Sequence, residues 1–185
     1  MTDTDDRIVW RCMFRAGHEY GRLREERSGW RLDGVAVFVD RDSPCRLDYE
    51  IECNTDWTTR RATVTGFVGD RTVECDVTVT DDRGWLLNGV ECPSVRGCID
   101  VDLNFSPVTN LLPIRRCAPE IGAEVAVTAA WLRFPSFELE PLEQTYRRIA
   151  ELTYRYTSGG GAFTADVVAN RVGMVVSYQG GWVRE

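Results

Sequence analysis

From residue 34 onward the chain alternates between apolar and polar side chains with a period of two. "GVAVFVD" (34–40), "RLDYEIEC" (46–53), "RATVTGFVG" (61–69), "TVECDVTVT" (72–80), "CIDVDLNF" (98–105) and "AEVAVTAAWLRF" (123–134) all show the pattern, and "TYRYTS", "FTADVVAN" and "MVVSYQGGWV" repeat it near the end. Clusters of Gly, Asp, Asn and Pro separate these stretches at short intervals, which predicts antiparallel strands joined by tight connections. The expected fold is mainly β with little helix. One segment fits two periods. In "PLEQTYRRIAEL" (141–152), Leu142, Tyr146, Ile149 and Leu152 have helical spacing and Pro141 suits a first turn. Gln144, Tyr146 and Arg148 also alternate, and the preferred reading continues the strand begun by "FELE".

An internal echo runs through the first half. "GWRLDGV" (29–35) and "GWLLNGV" (84–90) share Gly, Trp, Leu, Gly and Val in register. Each reads as a strand ending in an Asp-Gly or Asn-Gly turn, whose residues tolerate positive φ. Each is followed by a cysteine that opens an acidic alternating strand, at Cys45 and Cys98. Two ordinary hairpins and a duplicated half-sheet around one cavity are both compatible with this pattern.

The stretch "CIDVDLNFSPVTNLLPIRR" (98–116) combines both halves of the chemistry. Ile99, Val101, Leu103 and Phe105 should face a packed layer, and Asp100, Asp102 and Asn104 the opposite side. Residues 106–116 read as a Pro-punctuated connection able to bring Arg115 and Arg116 back toward the acidic face, either as an internal Asp–Arg network or to meet a ligand.

A length of 185 residues supports one domain, taken as 7–185, with "MTDTDD" (1–6) as a flexible acidic tail. The net charge of -7 and a pI near 4.9 argue against nucleic acid as a partner, since phosphate neutralisation needs a basic surface. All 22 basic residues are arginine, which removes lysine Schiff-base chemistry. With no basic segment leading an apolar run, and no long apolar stretch, a cytoplasmic protein without a transmembrane segment is expected. The seven cysteines, an odd number, then read as reduced, buried thiols.

Motifs of established chemistry are absent: there is no GxSxG, phosphate loop, GxGxxG or HExxH. His18 is the only histidine and lies in a turn-like segment, and no paired Cys or His spacing suits zinc, so neither metal nor cofactor is expected. Two strands carry carboxylates on one face: Asp48, Glu50 and Glu52, and Asp100, Asp102 with Asn104. Alternate strand residues stand roughly 7 Å apart, which suits an acid–base pair, although solvated sheet faces produce the same pattern. The aromatic supply is large for a small β core. Trp57, Trp85, Trp131 and Trp182, with Phe105, Phe134, Phe137, Tyr146, Tyr154, Tyr156 and Tyr178, could line a site for an elongated apolar ligand.

Taken in order, "LDGVAVF", "CRLDYEIEC", "DW" with "RRATVTGF", "WLLNGV", "GCIDVDLNFSPVTNLLPIRR", "AAWLRFPSFELEPLEQTYRR", "YRYTS" and "GMVVSYQGGWVRE" resemble the Putative glycolipid-binding family of bacteria and archaea, from about residue 8 to the end. The resemblance implies a single strongly curved antiparallel sheet, a half-barrel or β-roll similar to those of bacterial lipoprotein carriers. Its signature falls on Trp57, Asp100, Asp102, Phe105, Thr109, Asn110, Pro113, Arg115, Arg116, Trp131, Pro135, Gln144, Tyr146, Tyr154, Tyr156, Tyr178 and Trp182, and implies no catalytic residue. The expected function is non-enzymatic binding of an amphipathic small molecule such as a glycolipid. Trp57, Trp131, Tyr154 and Tyr156 would contact its apolar body, Arg115 and Arg116 a phosphate, carboxylate or sugar hydroxyls, and Asp100 and Asp102 would orient the arginines or accept sugar hydroxyls. Asn110 and Tyr146 complete the expected binding set. Two alternatives stand beside it: an enzyme acting on a small carbohydrate or acyl compound through Asp100 or Asp102, and an oligomeric interaction protein, such as a homodimer, docking through its apolar loop at 111–114.

Overall fold

The computed structural model describes residues 5–185. The alternating stretches become strands of one sheet, because each buries its apolar face and leaves the other side polar. A meander of neighbours forms first: β1 (Asp5–Cys12), β2 (Gly17–Glu26), β3 (Gly29–Asp40), β4 (Ser43–Cys53), β5 (Thr59–Val68), β6 (Arg71–Val79), β7 (Trp85–Leu87) and β8 (Val90–Glu91). Then come β9 (Val101–Leu103), the helix α1 (Leu111–Cys117), β10 (Glu124–Arg133), β11 (Glu138–Ala150), β12 (Thr153–Ser158), β13 (Phe163–Ala169), β14 (Val175–Tyr178) and β15 (Trp182–Arg184). β15 pairs back with β1, so the sheet order runs from β8 through β1 to β15 and on to β9, without closing into a barrel. The ambiguous segment at 141–152 is strand as far as Ala150. Of the expected tail, residues 1–4 lie outside the described residues, and Asp5 and Asp6 already pair with Arg24 and Leu23.

The sheet departs from the expected all-antiparallel arrangement at one place. β9 and β10 run parallel, Val101 opposite Ala130 and Leu103 opposite Leu132. A parallel neighbour needs a long crossover rather than a hairpin, and residues 104–123 supply it with α1 at the centre. Proline does not prevent this helix: Pro113 sits in the first turn, where its missing N–H has no intrahelical partner to lose. Ala118 ends the helix in the left-handed conformation, donating back to Ile114 O.

The two ends of the sheet curl toward each other, and the crossover fills the space between them. Thr59 N–H donates to Ile99 O at 3.1 Å, and Val101 N–H donates to Thr59 Oγ1 at 3.0 Å. Arg83 secures the same junction, donating to the carbonyls of Thr59, Cys98 and Ile99. Leu111 and Leu112 have no accessible surface and join Trp10, Leu23, Leu32, Leu47, Phe105 and Leu132 in the main core, while Ile114 packs with Tyr146, Tyr154, Tyr156, Val167 and Tyr178 in a smaller cluster. This corrects the docking-loop alternative. Residues 111–114 are buried because they plug the curled sheet, so they present no surface to a partner.

The echoed motifs fold differently. Asn88-Gly89, with φ of 51° and 79°, turns β7 into β8 as expected. Asp33-Gly34 lies in the middle of β3, paired on both sides, and makes no turn. Gly34 faces Gly21 of β2 there, and the missing side chains leave room for the rings of Tyr49 and Trp10. The likeness of the two motifs is therefore one of letters and of strand character, not of a repeated turn.

Candidate functional site

At one mouth of the curled sheet lies a crevice of ≈ 480 Å³. Six rings form its walls. Trp131 comes from β10, Tyr156 from β12, Phe163 from β13, Tyr178 from β14, Trp182 from β15 and Phe14 from the connection between β1 and β2. The rings contact one another edge to face or offset: Phe14 and Trp182 at 5.2 Å between centroids, Tyr178 and Trp182 at 5.5 Å, and Tyr156 and Tyr178 at 6.0 Å. Phe14 and Phe163 are 56% and 46% exposed, so the ring lining continues from the crevice onto open surface. A larger hollow of ≈ 540 Å³ over Ala126, Thr128, Glu143 and Thr145 is flatter and carries no ring.

Polar groups converge from the crossover side. Asp102, Asn104, Ser106 and Asn110 reach the crevice from β9 and the segment leading into α1. Asn110 Nδ2 donates to Tyr146 Oη at 3.3 Å, Tyr146 Oη donates to Gln144 Oε1 at 3.4 Å, and Gln144 Nε2 donates to Asp102 Oδ2 at 2.6 Å. Asp102 thus ends a chain of neutral donors. It keeps some open surface in the crevice, but protein surrounds it on most sides, and this burial pushes its pKa up to about 6 against the smaller opposing effect of the Gln144 bond. Its charge also contributes to the raised pKa values of Tyr156 and Tyr178, behind the larger effect of burial. Asn110 Oδ1 is buried, and among the described residues nothing donates to it.

Ser106 connects the crevice to a buried acid. Its hydroxyl donates to Glu19 Oε1, which also accepts from Tyr49 Oη at 2.7 Å. Glu19 is 3% exposed, and burial raises its pKa to about 8, with Ser106, Tyr49 and Arg15 opposing. At neutral pH it is mostly a neutral acid, the form a desolvated carboxyl prefers when its partners are neutral donors.

The expected site residues divide into two groups. Asp102, Asn110, Trp131 and Tyr156 line the crevice, and Tyr146 stands one hydrogen bond behind them. The others lie elsewhere. Arg116, half-buried, forms an ion pair with the buried Asp100, and Trp57 stacks on Trp30 at 4.2 Å with Arg115 over its ring at 5.0 Å. Tyr154 is buried in the smaller core cluster with Arg148 over its ring. Sequence reasoning missed Phe14, Phe163, Ser106 and Glu19 as site residues. For the two phenylalanines a signal existed, since each is a large ring in a turn-prone segment, "FRAGH" and "GGGAF". Glu19 gave none, being a single acidic letter in "GHEYG" outside any recognised alternation.

The family described as Putative glycolipid-binding matches residues 7–184, nearly the whole chain. The chain is similar to a crystal structure of a DUF1089 family protein from Pseudomonas aeruginosa, with a TM-score of 0.80 and 26% identity over 90% of this chain and 92% of that one. No curated protein matches it significantly.

Proposed function

Because the chain belongs to the Putative glycolipid-binding family, we propose that its ring-lined crevice binds an amphipathic small molecule of the glycolipid kind and does not transform it. The observation that carries this reading is that Asn110, a lining residue of the ring-bearing crevice, has a buried Oδ1 with no donor among the described residues. A desolvated acceptor without a donor costs free energy in the folded protein, and a sugar hydroxyl is the kind of group that would satisfy it. The volume lies in the range of small-molecule sites. It holds a head group with a short length of chain, leaving the rest of an acyl tail to cross the exposed rings of Phe14 and Phe163.

Two measurements test the reading together. Native mass spectrometry of protein purified without detergent should show a bound lipid-like mass, and titration with octyl glucoside below its micellar concentration should quench the fluorescence of Trp131 and Trp182. An empty protein that also binds nothing across a panel of lipids and glycolipids would sink it.

The raised pKa of Asp102 favours a second reading, in which this group is a general acid or base on a small carbohydrate. Hydrolysis by the usual route needs two carboxyls flanking the bond. Among the described lining residues Asp102 is the sole carboxyl, and Asp100 is neutralised by Arg116 outside the crevice. That shortage supports binding over turnover. Release of nitrophenol from a panel of nitrophenyl glycosides, abolished by Asp102→Asn, would reverse the preference.

A further inference from the structure

The crevice is built for one sign of charge. Its lining includes the carboxyl of Asp102 and, among the described residues, no arginine and no histidine. Two arginines lie over lining rings without lining the crevice themselves, and each has a carboxylate of its own: Arg15 near Phe14 pairs with Asp40 at 3.9 Å, and Arg133 near Trp131 pairs with Glu140 at 3.2 Å. Arg115 and Arg116, the cations expected at the ligand, are taken up by Trp57 and Asp100. An anionic head group would therefore meet a carboxylate and the negative faces of rings with no counter-charge.

A cation would meet the reverse. Trp131, Tyr156, Tyr178 and Trp182 surround the space beside Asp102, and rings of this kind attract an ammonium group through their quadrupoles. Among the described residues, Gln144 is the only side chain that donates to Asp102 in the crevice, through Oδ2, so Oδ1 is left for a ligand. Resting on the binding reading above, we propose that this site selects amphiphiles whose head group carries an ammonium, such as an amino sugar or an alkylammonium, over neutral ones, and rejects anionic ones.

The test is a series of octyl glucosides carrying an amine, the native hydroxyl or a carboxylate at sugar carbon 6, with octyltrimethylammonium as the arm lacking a sugar. Calorimetric titration at pH 7.5 keeps Asp102 ionised. In the wild type the amine should bind about tenfold tighter than the hydroxyl compound, as a charge-assisted hydrogen bond allows, and the carboxylate should bind weakest. Asp102→Asn keeps an acceptor for Gln144, and should remove the preference for the amine while retaining the hydroxyl compound, which also reports that the variant is folded. Tight binding of octyltrimethylammonium assigns recognition to the ammonium alone, and weak binding assigns it to an amino sugar; the selection for cations holds in both cases if the amine leads its series. Equal affinities across the three glucosides, or a lead for the carboxylate, overturn the charge selection while leaving the binding reading intact. Failure of all four compounds to bind overturns both.

Discussion

Arg116 holds Asp100 through two nitrogens, Nε to Oδ1 at 3.0 Å and Nη2 to Oδ2 at 2.5 Å. Asp100 is 1% exposed, so the pair ties α1 to the residue before β9 in a place where a lone carboxylate cannot be solvated. Removing one partner of such a pair costs more than the pair contributes, because the remaining charge stays buried. Arg116→Ala should therefore destabilise the fold by about 3–5 kcal/mol, read from urea unfolding at pH 7. The double variant Asp100→Asn, Arg116→Met should recover much of that loss. A change under about 1 kcal/mol for the single variant would show that water reaches the pair.

Glu19 supplies a pH dependence of opposite origin. Its native pKa of about 8 lies above the ordinary 4.5, so the folded state favours the protonated form. The stabilisation it contributes is complete below pH 4.5 and disappears as pH rises toward and through 8. Glu19→Gln cannot ionise and keeps an acceptor for Tyr49 and Ser106. The variant should match the wild type near pH 4.5 and exceed it near pH 9 by a few kcal/mol, since each tenfold difference in proton affinity between the folded and unfolded chains is worth about 1.4 kcal/mol. Parallel stability curves from pH 4.5 to 9 would mean that Glu19 ionises freely in the fold.

The strands were legible wherever the buried face carried apolar letters, as in β4, β5, β6 and β10. β2 was not, because its buried face includes Glu19 and Gly21 beside Leu23, and two of those three do not register as hydrophobic. The helix at 111–117 was hidden by Pro113, which reads as a breaker unless it is known to fall in a first turn. In the site, Asp102 was legible from the period-2 alternation of 98–105, and Asn110 only through the family resemblance. Their separation from Asp100, Arg115 and Arg116 was not, since it depends on where the crossover places each side chain. An Asp–Arg network was among the expected outcomes, and the Asp100–Arg116 pair is its realised part.

Asn110 should separate binding from folding. Its amide nitrogen is satisfied by Tyr146 and its oxygen has no donor among the described residues, so the folded protein gains little from the group as a whole. Asn110→Ala should change stability by no more than about 1 kcal/mol and weaken octyl glucoside binding about tenfold, the worth of one well-placed hydrogen bond in a closed site. Loss of stability with unchanged affinity would make Asn110 a structural residue.

Gly34 and Gly89 occupy equivalent positions in the two echoed motifs and should respond differently to the same substitution. A Cβ at Gly34 would lie 2.2 Å from Tyr20 O and 2.4 Å from Tyr49 Oη, so backbone pairing and the Tyr49–Glu19 bond would both have to shift. A Cβ at Gly89 would meet nothing within 4 Å, and the cost there is conformational, from a φ of +79°. Gly34→Ala should lose at least about 3 kcal/mol through overpacking, and Gly89→Ala about 1–2 kcal/mol through left-handed backbone. Because displacing Tyr49 also removes a donor from Glu19, the first variant alone should alter the pH profile of stability. Equal losses at the two positions, with unchanged profiles, would mean that β3 tolerates a side chain at 34 and that the ring of Tyr49 is not what requires glycine there.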